Sequence, residues 1–209
     1  MDAPVGRLSF SFINICSLAN KLDDLLQVRR DRGVAVLCLA ETCHDAYFVC
    51  FRRLRSDGYR VIDRPRPRLP SESLTVSTNH GGVAIVSVPG VSLSQISLGA
   101  DYASFELLCA RVTSGSSKSI VVVIYRPGSN AVTSTFFDDL SETLSRVASY
   151  YIVPDLNVRL DRPDDVNSLR LSELLAVCGF AVCRQPTHVR GGILDDVATL
   201  RHQPPPRLL

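Results

Sequence analysis

Ile152-Val153-Pro154-Asp155-Leu156-Asn157 reads as a strand that ends in reactive side chains. Tyr150, Tyr151, Ile152 and Val153 are aromatic or β-branched, as a strand in the middle of a sheet requires. Pro154 has no N–H to donate and is expected to break the ladder there. Side chains alternate along an extended chain, so residues 155 and 157 are expected on the same side of the sheet's edge. A carboxylate that can take a proton, beside a carboxamide that donates and accepts, suits a phosphate ester and its attacking water. Asp-x-Asn equally suits an Asx turn that closes a loop. The rest of the chain has to decide between them.

Working back from that stretch, Phe136, Phe137, Leu140, Leu144 and Val147 make a helical stripe, capped by Ser134 or Thr135. Strands are expected over Leu8–Ile15, Val34–Ala40, Tyr59–Ile62, Val83–Val88, Val91–Ile96, Phe105–Val112 and Ser119–Tyr125. Leu18, Leu22, Leu25 and Leu26 share one face of a helix that Ser17 can cap and Gly33 ends. The all-apolar run after it points to a buried central sheet. A short helix is expected over Phe48–Leu54, and a loop over 64–80. Beyond the opening stretch, Leu171, Leu174, Leu175 and Cys178 give another amphipathic helix, stopped by Gly179. A last strand covers Ile193–Thr199.

Composition narrows the class. The chain has 209 residues, 45% hydrophobic and 21% charged, enough for one domain with a sizeable core over residues 1–200 and a proline-rich tail over 201–209. No apolar run reaches the roughly 18 residues that span a bilayer. The first residues lack a secretory signal. The seven cysteines contain no C-x-x-C pair and read as reduced thiols of an intracellular protein. A net charge of +2 argues for no particular partner. The run Arg52–Arg68 holds arginines 52, 53, 55, 60, 64, 66 and 68. Arginine forks match phosphate oxygens in pairs, so this is either a DNA-backbone surface or a solvated loop.

Several expected strands end in a polar residue: Asn14, Glu41, Tyr125, and Asp155 with Asn157, with Asp195 a further candidate. Each has a plain structural alternative, as helix cap, surface charge, core phenol or turn residue. The shared placement argues for a site.

The order and spelling also match a family. The series runs Asn14-Ile15-Cys16-Ser17-Leu18-Ala19-Asn20-Lys21, Leu39-Ala40-Glu41-Thr42, Gly81-Gly82-Val83-Ala84-Ile85, Tyr125-Arg126-Pro127, Asp155-Leu156-Asn157, Pro186-Thr187-His188 and Leu194-Asp195-Asp196-Val197. It resembles the endonuclease domain of non-LTR (LINE-type) retrotransposons, in the endonuclease/exonuclease/phosphatase superfamily that also holds DNase I. The resemblance implies an α/β, four-layer sandwich, with two mixed sheets flanked by helices and the active site at one end. It implies Mg²⁺-dependent nicking of DNA, with Mn²⁺ the alternative ion, to leave a 3′-hydroxyl that primes reverse transcription. On this resemblance Glu41 would hold the metal, with help from Asn14. Asp155 would activate water, and Asn157 and Tyr125 would hold the phosphate. Arg126 and Thr187 would bind substrate, and Asp195 would support the site. DNA would be the partner and the nucleus the place of work, with no membrane and no obligate protein partner.

The chain departs from the family twice. Pro154 stands where the family has glycine, and a shift of about 1 Å in the Asp155 carboxylate can cost on the order of 100-fold in rate. The family also ends in Ser-Asp-His, whereas only His202, in the proline-rich tail, follows Asp195. His44, His80 and His188 stand in other motif contexts. The sequence therefore resembles a copy lacking its last one or two strands, with weak or no activity expected. The rival readings are a phosphatase of the same superfamily and a non-catalytic or vestigial DNA-binding module.

Overall fold

The alternation of apolar side chains decides how the layers stack. In the computed structural model, which describes residues 8–67, 80–99, 102–147, 151–160, 162, 164–183 and 197–200, the elements are β1 (Phe10–Asn14), α1 (Leu22–Arg32), β2 (Val36–Ala40), α2 (Val49–Ser56), β3 (Arg60–Arg64), β4 (Val83–Ser87), β5 (Ser92–Gln95), β6 (Glu106–Ser114), β7 (Ser117–Tyr125), α3 (Ser134–Arg146), β8 (Tyr151–Asp155), α4 (Val166–Val177), β9 (Phe180–Cys183) and β10 (Val197–Leu200). One sheet has the order β1-β2-β4-β3, the other β5-β6-β7-β8-β10-β9. β1 and β2 run parallel in the first, and β7 and β8 in the second; the other pairings are antiparallel.

Every residue of β2 is buried because both of its faces are covered. Leu37 and Leu39 pack with Leu22, Leu25, Leu26, Phe51 and Leu54 of α1 and α2. Val36, Cys38 and Ala40 point the other way, into a cluster shared with Leu108, Ala110, Val121, Val123 and Tyr125 of the second sheet. β7 repeats the pattern. Its Val122 and Ile124 turn outward to Phe136, Leu140 and Leu144 of α3 and Leu171 and Leu175 of α4. Helices, sheet, sheet and helices thus form four layers, as the family resemblance implies. The period of two places Tyr125 between the sheets.

Several local expectations need correction. Ser17 does not cap the first helix: α1 begins at Leu22, and its N-cap Lys21 makes no side-chain cap bond. Lys21 Nζ donates instead to Ile15 O at 2.6 Å and Cys16 O at 3.0 Å, tying down the loop that follows β1. α3 is capped by Thr133, whose Oγ1 accepts from Phe136 N, not by Ser134 or Thr135. β6 and β7 run on to Ser114 and Ser117, past the expected ends at Val112 and Ser119, so a two-residue turn led by Gly115 at φ 56 joins them. β9 carries no separate signal in the sequence, since it begins directly after Gly179.

Pro154 does not end β8, which pairs with β7 through Ile124↔Pro154 and Tyr125↔Asp155. Arg126 N donates to Asp155 O at 2.8 Å, so the polar groups of Asp155 face β7. The nitrogen of Pro154 therefore faces the other side of β8, where among the described residues β10 pairs at Ile152. The missing N–H leaves the β7–β8 ladder intact.

α4 has a strong cap that the sequence reading passed over. The Asp165 side chain accepts from Asn167 N at 2.9 Å and Ser168 N at 3.0 Å. Asp165→Ala is expected to lower stability by about 1 kcal/mol, measured by urea unfolding. An unchanged midpoint would remove the cap from the account.

Candidate active site

Two parallel strand pairs, one in each sheet, end at the same place. Asn14 is in register with Ala40, just before Glu41, and Tyr125 with Asp155. The four side chains meet across the sheets. Asn14 Nδ2 donates to Glu41 Oε1 at 3.0 Å and to Asp155 Oδ2 at 2.7 Å. Tyr125 OH donates to Glu41 Oε1 at 2.7 Å. Asn14 Oδ1 accepts from Cys16 N at 3.1 Å, which fixes the amide so that its nitrogen faces both carboxylates. Burial, reinforced by the bond to Glu41, pushes the Tyr125 phenol far above its ordinary pKa, so it stays a neutral donor.

The backbone here is held in unusual conformations. Cys16, Ser17, Glu41, Cys43 and Asn157 have positive φ, and among the described residues no other non-glycine does. Such residues cost of order 1–3 kcal/mol each and persist where their surroundings fix them. The fixing bonds are Ser17 N to Glu41 O at 2.7 Å, Thr42 N to Gly82 O at 3.2 Å and Cys43 N to Gly81 O at 2.7 Å. The Gly81-Gly82 motif is thus the floor of the Glu41 loop. Gly82 has φ +85, and a Cβ there would lie 2.7 Å from Thr42 Oγ1 and 2.8 Å from His44 Nδ1. Gly82→Ala is expected to lower stability by about 1–3 kcal/mol. A thermal midpoint equal to wild type would show the floor to be adaptable.

Arg126 and Asn157 differ from their expected roles. Arg126 is only 2% exposed. Its Nε donates to Leu156 O at 2.6 Å, Nη1 to Pro127 O at 3.1 Å and Asn130 O at 2.5 Å, and Nη2 to Asn157 O at 2.9 Å. The guanidinium faces inward and knits the loop after β7 to the loop after β8. Asn157 returns the bond, its Nδ2 donating to Arg126 O at 2.8 Å. At φ 50 Asn157 has left the strand, so it does not continue the alternation from Asp155, which is 1% exposed. Asparagine tolerates this left-handed conformation better than most residues. Thr187 and Asp195, with His188 and His202, lie outside the described residues.

His44 is buried. Its Nδ1 lies 2.6 Å from Thr42 Oγ1, and its Nε2 lies 3.3 Å from Asp63 Oδ2. Burial works to raise the Asp63 carboxyl pKa, but the bonds from His44 and Arg55 outweigh it and leave the pKa below the ordinary 3.8. A depressed carboxylate contributes stability above its unfolded value and loses it as pH falls through the lower folded value. The stability lost in Asp63→Asn is therefore expected in full at pH 6 and to shrink below about pH 4. A pH-independent difference in thermal midpoint would contradict this ion pair.

The sequence reading also missed Glu106, an acid at the head of an apolar strand with no motif around it. Its Oε2 accepts from Gly82 N at 2.6 Å and its Oε1 from Arg66 Nε at 2.5 Å.

Among the described residues no group of three or more His, Cys, Asp or Glu is placed to hold a metal ion. Glu41 and Asp155 offer hard oxygen donors only. Mg²⁺ keeps most of its waters and binds through one or two carboxylates plus substrate phosphates, so this donor set fits it. Asn14 turns N–H donors toward the carboxylates, which leaves Glu41 and Asp155 as the candidate ligands.

No protein-family model matches the chain, and no curated protein sequence matches it. Solved structures do. The endonuclease domain of TRAS1, a telomere-specific non-LTR retrotransposon, has a TM-score of 0.66 at 13% identity, over 93% of this chain and 86% of that one. The human Nocturnin catalytic domain has 0.66 at 17%, over 97% and 84%. The AP endonuclease LMAP from Leishmania major has 0.63 at 14%, over 93% and 79%. The fold is therefore the one these solved structures share, a DNase I-like α/β sandwich. Among the described residues no helix is long and apolar enough to cross a membrane.

Proposed function

We propose that the chain is a divalent-metal-dependent phosphodiesterase-type endonuclease that nicks DNA. One observation carries the reading: Asn14 bridges Glu41 and Asp155 across the two sheets, with Tyr125 on the same Glu41 oxygen. Two carboxylates linked through a neutral amide donor, beside a neutral phenol, suit an anionic ester and its attacking water. The fold it shares with nucleases supports the reading.

Glu41 and Asp155 would hold Mg²⁺, which when bound supplies positive charge against the phosphoryl and leaving oxygens. Asp155 orients the water and takes its proton. The water oxygen bonds to phosphorus, and the P–O3′ bond breaks. The 3′-oxygen leaves and takes a proton from solvent, giving a 3′-hydroxyl and a 5′-phosphate. With Glu41 taken up by the metal, the single Tyr125 O–H would be released from Glu41 to donate to the phosphate, and Asn14 keeps the two carboxylates in register. Asn157 and Arg126 position Asp155 by locking the loops on either side of it. Thr187 would line the DNA side and Asp195 would support the site. Such a nick can prime reverse transcription, and a DNA substrate fits work in the nucleus.

The test is the chemistry of the nick together with a substrate panel. Ends that a DNA polymerase extends directly, and no phosphate release from inositol phosphates, are the expected results. Phosphate release without nicking would replace this reading with a phosphatase. Salt-sensitive DNA binding with neither reaction would leave a binding module.

A further inference from the structure

The arginine run that begins in α2 divides in the structure. Arg53 pairs with Asp23 at 2.6 Å, Arg55 pairs with Asp63, and Arg64 Nη1 donates to Leu107 O at 3.2 Å. These serve the fold. Arg66 stands elsewhere. Its guanidinium carbon lies 5.8 Å from the centre of the Tyr125 ring, and that tyrosine holds Glu41. Its Nε is fixed by Glu106, which is fixed in turn by Gly82 N. A Cβ on Gly81 would overlap both Arg66 Nη2 and Glu106 Oε1, so the glycine pair leaves room for this ion pair as well as for the Glu41 loop.

We infer that Arg66 grips substrate: its guanidinium, aimed by Glu106 and Tyr125, binds a backbone phosphate of the nucleic acid beside the one that is cleaved. The inference rests on the nuclease reading above. Arg66 remains 30% exposed, so a ligand can reach it, while the Glu106 side chain is 12% exposed. Glu106 holds Nε and Nη2 is buried, so the guanidinium charge reaches a phosphate oxygen through Nη1, as a charge-assisted hydrogen bond. An ion pair that served stability alone would need no aromatic platform beside an active-site carboxylate. Burial raises the Glu106 pKa even though Arg66 and the Gly82 N–H beside it work to lower it.

The test combines Arg66→Met with Glu106→Gln in one chain. The pair keeps side-chain volume and net charge, and leaves neither partner buried with an unpaired charge. Binding of a fluorescent DNA duplex in EDTA is measured over a range of salt. The double variant is expected to bind about tenfold more weakly. Its salt slope is expected to fall by about one. Wild-type affinity and slope in the double variant would overturn the inference. Arg66→Lys guards against a double variant that fails to fold. It keeps a positive charge beside Glu106, but a single ammonium cannot hold Glu106 and reach the phosphate together as the broad guanidinium does, so it is expected to bind severalfold more weakly; full wild-type affinity there would also overturn the inference. A wild-type chain that neither binds nor nicks the duplex sinks the nuclease reading and Arg66 with it. A wild-type chain that does both, with variants equal to it, sinks Arg66 alone.

Discussion

Asp155→Asn is expected to slow Mg²⁺-dependent nicking by about 10²–10⁴-fold, the usual worth of a general base. The substitution keeps the size of the side chain, and its amide oxygen can still accept from Asn14 Nδ2, now 2.7 Å from Asp155 Oδ2. What it loses is the ability to take a proton from water, and the negative charge that would help hold Mg²⁺. The measurement is a single-turnover rate on supercoiled DNA, with circular dichroism to show the variant folded. A folded Asp155→Asn chain that nicks at the wild-type rate would remove Asp155 from the chemistry. A base supplied from elsewhere would then be required.

Arg126→Met is expected to cost stability far more than it alters substrate affinity. The guanidinium donates to four carbonyls in two loops, and burial lowers its pKa, partly offset by the charge of Asp155. Removing it leaves those carbonyls unpaired beside a buried carboxylate, a loss of about 3–5 kcal/mol. For a chain of this length that is a drop of roughly 10 °C in the thermal midpoint. A substrate-binding arginine would give the reverse result, with an unchanged midpoint and a raised KM.

The layers were legible because they depend on period. β2 is apolar at every position, and its even and odd members face different neighbours, as a strand covered on both sides must. The α1 stripe of Leu22, Leu25 and Leu26 was equally plain. So was the placement of Asn14, Glu41, Tyr125 and Asp155 at strand ends, which the structure brings within hydrogen-bond reach of one another.

What was not legible depends on direction, which a one-dimensional pattern does not carry. Arg126 follows a site tyrosine, yet its side chain turns inward because four carbonyls of two tight loops need donors. Strand alternation puts Asn157 beside Asp155, but the chain turns left-handed there. Ser17 was read as a cap on the strength of residue type, while its backbone amide is used by Glu41 O. Pro154 has the residue type of a breaker, and only the register shows which side of the strand its nitrogen faces. Arg66 and Glu106 lie 40 residues apart and meet only once β3 and β6 are in place.

The most direct measurement is conversion of supercoiled plasmid to open circle by the purified chain in Mg²⁺, beside EDTA and a Glu41→Ala chain. Nicking in Mg²⁺ that disappears in EDTA and in Glu41→Ala is the result expected of a site built on the Glu41–Asn14–Asp155 bridge. Nicking that persists in Glu41→Ala, or its absence from a folded wild-type chain, would contradict it.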